Sequence, residues 1–62
     1  MIFMHMNDRC RCIDKPLEGA FIIGKIYKCG YGIDCRFAID GNGERVWFDE
    51  IKFYWYFAVI KE

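Results

Sequence analysis

Hydrophobic and polar positions alternate along several short stretches of this chain, which is the pattern of half-buried β-strands. Residues 9–14 place Cys10 and Cys12 on one face, with arginines on the other. Residues 25–29 and residues 34–40 repeat this alternation. Because the side chains of a strand point alternately to its two faces, we predict three strands with one apolar face each.

Glycine, proline, asparagine and aspartate mark the connections between these strands. Residues 40–43 read Asp-Gly-Asn-Gly, which suits a tight hairpin and predicts a fourth strand over residues 44–48. Residues 30–32 read Gly-Tyr-Gly and predict the turn into the third strand. Residues 15–24 contain one proline and two glycines, so we predict a long loop whose apolar residues tuck under the edge of the sheet.

The third predicted strand divides its side chains clearly between two faces. Its apolar members are expected to point into the core, and its charged members are expected to point to solvent. The inward set is Cys35, Phe37 and Ile39, and the outward set is Arg36 and Asp40.

The last third of the chain holds more apolar surface than one face of a strand needs. Residues 53–60 read Phe-Tyr-Trp-Tyr-Phe-Ala-Val-Ile, and this composition favours a strand over a helix. Residues 49–52 are expected to form one helical turn before it, in which Asp49 caps the helix and Glu50 lies in the first turn. Both faces of the last strand must then be covered.

The two faces of the predicted last strand differ in size, and we expect the larger one to enter the core. Its members are Phe53, Trp55, Phe57 and Val59. Tyrosine and tryptophan commonly anchor interfaces, and large exposed apolar patches rarely persist on monomers. The candidate partner-binding residues are therefore Tyr31, Trp47, Tyr54, Tyr56 and Ile60. The alternative is that residues 2–4 fold back over this surface.

The chain has 62 residues, and we predict a flexible leader over residues 1–7 and one folded unit over residues 8–62. Hydrophobic residues make up 55% and aromatic residues 19%, so a few large side chains can fill a small core. Nine basic and nine acidic residues cancel, which disfavours nucleic-acid backbones and anionic membranes as partners.

No targeting or membrane signal is predicted. The longest apolar run is far shorter than the roughly 20 residues that span a bilayer. The leader lacks a basic start and a cleavage site for a signal peptide, so we expect a cytoplasmic protein. The sequence leaves the translational start open among Met1, Met4 and Met6.

Four cysteines and one histidine invite a chemical function. The cysteines, which all fall on predicted inward faces, are Cys10, Cys12, Cys29 and Cys35. There a reduced thiol behaves as a small hydrophobe; a metal site and a disulfide are alternatives, although the spacing does not match zinc-binding turns. His5 lies in the leader, and the chain has no serine or threonine. We therefore expect no enzyme activity and no cofactor.

Several short motifs are spread over most of the chain. They are residues 12–14 (Cys-Ile-Asp), residues 24–27 (Gly-Lys-Ile-Tyr), residues 40–44 (Asp-Gly-Asn-Gly-Glu), residues 46–48 (Val-Trp-Phe) and the Phe53 that follows. Together they resemble a group of small SH3-like proteins carried by phages and prophages. The resemblance implies an all-β fold, a small five-stranded SH3-like barrel with one short helical turn before the last strand. Members of that group mostly have no assigned activity.

The resemblance and the surplus aromatic residues together suggest a protein-interaction module. We expect it to act in the cytoplasm of a bacterial host, where it binds a host protein, for example a defence protein, and modulates or inhibits it. A homodimer through the last strand is compatible with this. The alternative is a single-stranded nucleic-acid binder, in which Trp47, Tyr31 and Tyr54 stack on bases. Its phosphate contacts would be Arg9, Arg11, Arg36 and Arg45.

Overall fold

The computed structural model describes residues 8–60, which form one antiparallel five-stranded sheet with a short helix before the last strand. The strands are β1 (Asp8–Cys12), β2 (Ile26–Gly32), β3 (Cys35–Ile39), β4 (Arg45–Asp49) and β5 (Phe57–Ile60), and the helix is α1 (Glu50–Tyr56). The mostly-β class, the number of strands and a helix before the last strand are thereby confirmed. The predicted leader, including His5, lies outside the described residues.

The strand order across the sheet is β4-β3-β2-β1-β5. Strands β1 to β4 follow one another as a meander, and α1 returns the chain so that β5 pairs with β1. Within residues 8–60, β4 pairs only with β3 and β5 pairs only with β1, so the sheet is not a closed barrel. No helix in this part of the chain is long and apolar enough to cross a membrane.

One face of the sheet, which we call the core face, carries small buried side chains. The register places Cys10 opposite Tyr27 and Cys29 opposite Ala38, and Cys12 shares their face because it lies two residues after Cys10. These three cysteines are fully buried, as predicted. Because a thiol is small and apolar, large rings can pack directly above it.

An aromatic cluster covers the core face. Phe21 of the β1–β2 loop packs edge-on against Tyr27 and Phe57, with ring centroids 4.9 and 5.1 Å apart. Phe53 of α1 stacks on Phe57 at 5.0 Å, and Phe48 of β4 packs against Phe57 at 5.5 Å. The predicted tucking of the loop is thus confirmed for Phe21, whereas the two isoleucines after it are exposed.

The predicted strand over residues 53–60 is wrong in its first half. The helix α1 continues to Tyr56, and the strand begins only at Phe57. The amide of Phe57, the first residue after the helix, donates to the carbonyl of Phe53. The two residues therefore lie about one helical turn apart, and both rings reach the core face. Burial of these two rings outweighs the strand propensity of the surrounding aromatic residues. The predicted division of residues 53–56 between two strand faces is therefore wrong as well.

The start of α1 agrees with the sequence. The Oδ1 atom of Asp49 accepts hydrogen bonds from the amides of Ile51 and Lys52, at 2.8 and 3.3 Å. Glu50 lies in the first turn, where the helix dipole favours an acidic side chain. The predicted cap is confirmed, but the helix that it begins has seven residues and not one turn.

The predicted faces of β3 are reversed. Because Ala38 lies opposite Cys29, the core face of β3 carries Ala38 and Arg36. Phe37 is also fully buried, but on the opposite face, where its ring centroid is 5.0 Å from that of Trp47. When both faces of a strand are covered, the alternation of apolar residues does not identify the core face.

Of the two predicted tight turns, the one at residues 40–43 is confirmed and the one at residues 30–32 is wrong. The hairpin at residues 40–43 is confirmed, with the amide of Gly43 donating to the carbonyl of Asp40 at 3.0 Å. Residues 30–32 are not a turn, because they lie inside β2. The connection to β3 falls on Ile33 and Asp34, and Asp34 adopts a left-handed φ of 56°.

Candidate functional site

A groove lies between the β1–β2 loop, strand β4 and helix α1. Its volume is about 330 Å³, which is within the range of small ligand sites. We call it the loop–helix groove. Its lining comprises residues 16–18 of the loop, residues 47–49 of β4, and Lys52 and Tyr56 of α1.

The loop side of the groove is held by hydrogen bonds to the β3–β4 hairpin and to β2. The amide of Ala20 donates to Oδ2 of Asp40 at 3.0 Å, and the amide of Gly41 donates to the carbonyl of Ala20 at 2.9 Å. The amide of Ile22 donates to the hydroxyl oxygen of Tyr27 at 2.7 Å. The buried phenylalanine of the loop lies between these anchors, so three consecutive loop positions are fixed.

Asp40 was predicted to point outward, but its side chain is only 6% exposed. Besides the amide of Ala20, it accepts hydrogen bonds on Oδ1 from the amides of Glu44 and Asn42, both at 2.9 Å. These bonds, with that from Ala20 first, hold the pKa of the Asp40 carboxyl below its ordinary value. The Asp40 carboxylate therefore joins the hairpin to the loop.

The walls of the groove combine apolar and charged groups. Leu17 is 100% exposed and Trp47 is 46% exposed, whereas Tyr56 packs partly against the core. Glu18 and Asp49 add two acidic groups, and Lys52 adds one basic group. Strand β4 runs along the groove and pairs on one side only within the described residues. Such an edge can accept an added strand through backbone hydrogen bonds.

A second aromatic cluster surrounds Arg36, which was predicted to face solvent. The guanidinium carbon of Arg36 lies 5.3 Å from the ring centroid of Tyr31 and 5.1 Å from that of Tyr54. Phe53 is 5.7 Å away, so all three rings are within cation–π range. The Nε of Arg36 is buried and makes no hydrogen bond within residues 8–60. Arg36 thereby links β2, β3 and α1.

The outward side of α1 is apolar as well. Ile51, Tyr54 and Trp55 are 71%, 47% and 57% exposed. Their spacing of three and four residues places them together on one side of the helix. Lys52 and Tyr56 lie on the side that lines the groove, so the helix presents two separate surfaces.

The five residues predicted to bind a partner lie in three places. Tyr31 and Tyr54 flank the arginine on the core face. Trp47 and Tyr56 line the loop–helix groove. Ile60 lies in β5, at the opposite edge of the sheet from β4. The common strand face expected for Tyr54, Tyr56 and Ile60 does not form, because the first two are helical.

The groove has two exposed large apolar side chains, Leu17 and Trp47, and the predictions omitted Leu17. It is the only leucine in the chain, and it stands between a proline and a glutamate. A large apolar side chain that follows a proline in a polar loop is the signal that could have identified it. Pro16 restricts the backbone before Leu17, which favours a defined presentation of this side chain.

The four cysteines are free thiols in the structure. Cys10 and Cys29 share a hydrogen bond between β1 and β2, and this bond together with burial raises the pKa of the Cys10 thiol. The thiol of Cys12 donates to the carbonyl of Asp14 at 3.2 Å. Cys35 lies on the other face of the sheet and is half-buried. Among residues 8–60, no group of three or more candidate metal ligands is close enough to hold an ion.

Comparison of the chain with protein-family models, curated protein sequences and solved structures gave no match.

Proposed function

We propose that this chain is a small SH3-like interaction module of the phage type, and that its loop–helix groove binds an extended segment of a bacterial host protein. The observation that carries the proposal is a partly apolar groove with the β1–β2 loop on one side and an edge strand beside it. Occupying a segment of the host protein, for example a defence protein, would modulate or inhibit it.

The connections between the strands support an SH3-like fold. A long loop joins β1 to β2, a tight hairpin joins β3 to β4, and a helix precedes β5, which returns to β1. The two edge strands also approach each other over the core, since the ring of Phe48 on β4 is 5.5 Å from that of Phe57 on β5. The sheet therefore curls in the direction that closes a barrel.

The chemistry of the groove suits an extended peptide with one large apolar side chain. Leu17, Trp47 and Tyr56 supply the apolar contacts, and the edge of β4 supplies backbone hydrogen bonds. The anchors at residues 20–22 hold the loop close to β4 and α1, and a loop held in place loses less conformational entropy when a ligand binds. A homodimer through β5 is compatible with this proposal, since β5 lies at the other edge of the sheet.

The test is partner capture with a variant that changes the groove and leaves the fold intact. Leu17→Asp places a charge in the apolar groove, and its effect on stability is expected to be small because the side chain is fully exposed. The immobilised protein is incubated with a bacterial lysate, and the retained proteins are quantified by mass spectrometry. We expect Leu17→Asp to reduce retention of the specific partner by about tenfold or more.

Ile51→Asp is the matched control. Ile51 is also a highly exposed apolar residue, and an acidic residue in the first turn of α1 is favourable for the helix. We expect Ile51→Asp to retain the partner. Loss of the partner with Ile51→Asp alone would assign binding to the outward side of α1, and equal behaviour of the two variants would also contradict a site in the groove.

A further inference from the structure

The face of the sheet opposite the core, which we call the outer face, concentrates basic side chains. Strand pairing and alternation place four of them there: Arg9, Arg11, Lys28 and Arg45. All four side chains are exposed. They belong to β1, β2 and β4, so the folded sheet is what brings them together.

Three of these basic residues lie in one row across the sheet. Arg9 pairs directly with Lys28, and Arg45 pairs with Ile39; the register between β2 and β3 continues the row from Lys28 to Ile39. With neighbouring strands about 4.8 Å apart, the row spans about 15 Å. Arg9 and Lys28 are like charges directly opposite each other, and such a pair does not itself stabilise a sheet.

The zero net charge of the chain conceals this concentration. Among the described strand residues, the outer face carries one acidic side chain, Asp49, at the end of β4. Its carboxylate is engaged as the cap of α1. The other described acidic residues lie in loops, in turns, on the core face or on α1. The zero net charge of the whole chain therefore does not describe the outer face, where basic side chains are concentrated. It does not argue against a polyanionic partner on that face.

An aromatic platform adjoins the basic row on the outer face. Trp47 pairs with Phe37, and the guanidinium carbon of Arg45 lies 4.6 Å from the ring centroid of Phe37 and 5.9 Å from that of Trp47. Trp47 remains 46% exposed. Gly30 lies opposite Phe37 on the next strand and adds no side chain to the platform.

We propose that the outer face binds single-stranded nucleic acid, with phosphates along Arg9, Lys28 and Arg45 and a base stacked on Trp47. Every base has a face that stacks on an indole, and each nucleotide carries one charged phosphate, so a basic row beside an exposed aromatic ring matches this ligand. A duplex keeps its bases stacked and offers none to Trp47. The function goes beyond capture of a host protein. It uses the outer face of the sheet and shares Trp47 with the loop–helix groove.

The test measures the affinity of the full-length protein for a fluorescently labelled oligothymidylate of about 15 nucleotides. Fluorescence anisotropy is recorded at several salt concentrations from about 50 to 200 mM. We expect binding to weaken with salt, with a slope of about −0.7 for each phosphate contact. The double variant Arg9→Gln with Lys28→Gln should bind about tenfold more weakly and should reduce the magnitude of this slope by about 1.4.

The matched control removes two positive charges elsewhere. Lys15→Gln with Lys25→Gln alters exposed lysines of the β1–β2 loop, and we expect its affinity to stay within about twofold of the wild-type value. Equal losses in the two double variants, or no binding at the lowest salt concentration, would overturn the proposal. Equal affinity for polyglutamate of the same charge would overturn it too, because it would indicate a general polyanion site.

Stacking of a base on Trp47 is measured separately, by tryptophan fluorescence. Trp55 is exposed on α1, so Trp55→Phe leaves Trp47 as the single tryptophan without disturbing the core. We expect the oligonucleotide to quench the fluorescence of Trp47 in this variant, and a duplex of the same length to quench it much less. Binding without quenching, or equal quenching by the duplex, would contradict a base stacked on Trp47.

Discussion

Asp40 is the residue through which the hairpin and the β1–β2 loop are joined. Its carboxylate accepts hydrogen bonds from the amides of Ala20, Asn42 and Glu44. A carboxylate with several amide donors is favoured over its protonated form, which explains the lowered pKa of Asp40. The ionised side chain of Asp40 and the backbone hydrogen bond from Gly41 to Ala20 therefore both join the hairpin to the loop.

Asp40→Asn is expected to lower the free energy of unfolding at neutral pH, because an amide has only one acceptor oxygen for three donors. The pKa of Asp40 is lowered from its ordinary value in the folded protein, with the hydrogen bond from the amide of Ala20 as the largest cause, so the ionised carboxylate stabilises the fold at neutral pH. This contribution is lost as the pH falls through the folded-state pKa. Urea unfolding from about pH 7 to about pH 2 should show that the wild-type advantage over Asp40→Asn shrinks on acidification.

Glu44→Gln is the control for net charge, because it removes a carboxylate from an exposed side chain of the same connection. We expect it to have a much smaller effect than Asp40→Asn at neutral pH. An equal loss in the two variants, or a wild-type advantage over Asp40→Asn that grows on acidification, would contradict the role given to Asp40.

The hairpin at residues 40–43 was predicted from the sequence, but the hydrogen bond between the carboxylate of Asp40 and the amide of Ala20 was not. Residues 40–43 form a turn through local backbone preferences, whereas the contact with Ala20 joins positions twenty residues apart and depends on the folded loop. The direction of Arg36 was missed for a similar reason. It follows from the pairing of β2 with β3, which the alternation within β3 alone does not specify.

At the scale of elements, tertiary contacts decide that residues 53–56 belong to the helix α1 and not to a strand. The cap at Asp49 was predictable because it is local. The end of the helix at Tyr56 was not, since the aromatic residues of this stretch favour strands in isolation. With Phe53 on the last turn of α1 and Phe57 at the start of β5, both rings are buried in the core. The exposed face of Ile51, Tyr54 and Trp55 is a consequence of the same helix.

The β1–β2 loop offers a test of its own conformation through two glycines with positive φ. Gly19 has φ of 87° and Gly24 has φ of 91°. A Cβ at position 19 would overlap the buried ring of Phe21, whereas a Cβ at position 24 meets nothing within 4 Å. We expect Gly24→Ala to lower the free energy of unfolding by about 1 kcal/mol from backbone strain. Gly19→Ala should lose about 1–3 kcal/mol more from the overlap.

Urea denaturation followed by tryptophan fluorescence measures both variants under the same conditions. The comparison is matched, because each variant adds one methyl group at a left-handed position of the same loop. Equal destabilisation would mean that Phe21 does not pack beside Gly19, and the loop side of the groove would then be wrongly placed.

At the scale of the molecule, the sheet separates three surfaces that the sequence does not distinguish. The groove lies at the edge formed by β4, the outer face carries the basic row, and α1 exposes an apolar side. The number of strands and the hairpin at residues 40–43 follow from local patterns, whereas the turn between β2 and β3 and the start of β5 do not. Strand order and register determine which side chains share a surface. For this reason Trp47 and Tyr56 line the groove together with Leu17, whereas Ile60 lies at the opposite edge of the sheet.

The central claim is that the loop–helix groove is the site of partner capture, and photo-cross-linking tests it most directly. A benzoylphenylalanine is incorporated in place of Leu17 or, as a control, in place of Ile51, and each protein is irradiated in a bacterial lysate. We expect a covalent adduct from position 17 that excess wild-type protein suppresses and excess Leu17→Asp protein does not. Adducts from position 51 alone, or adducts from position 17 that wild-type protein fails to suppress, would contradict the claim.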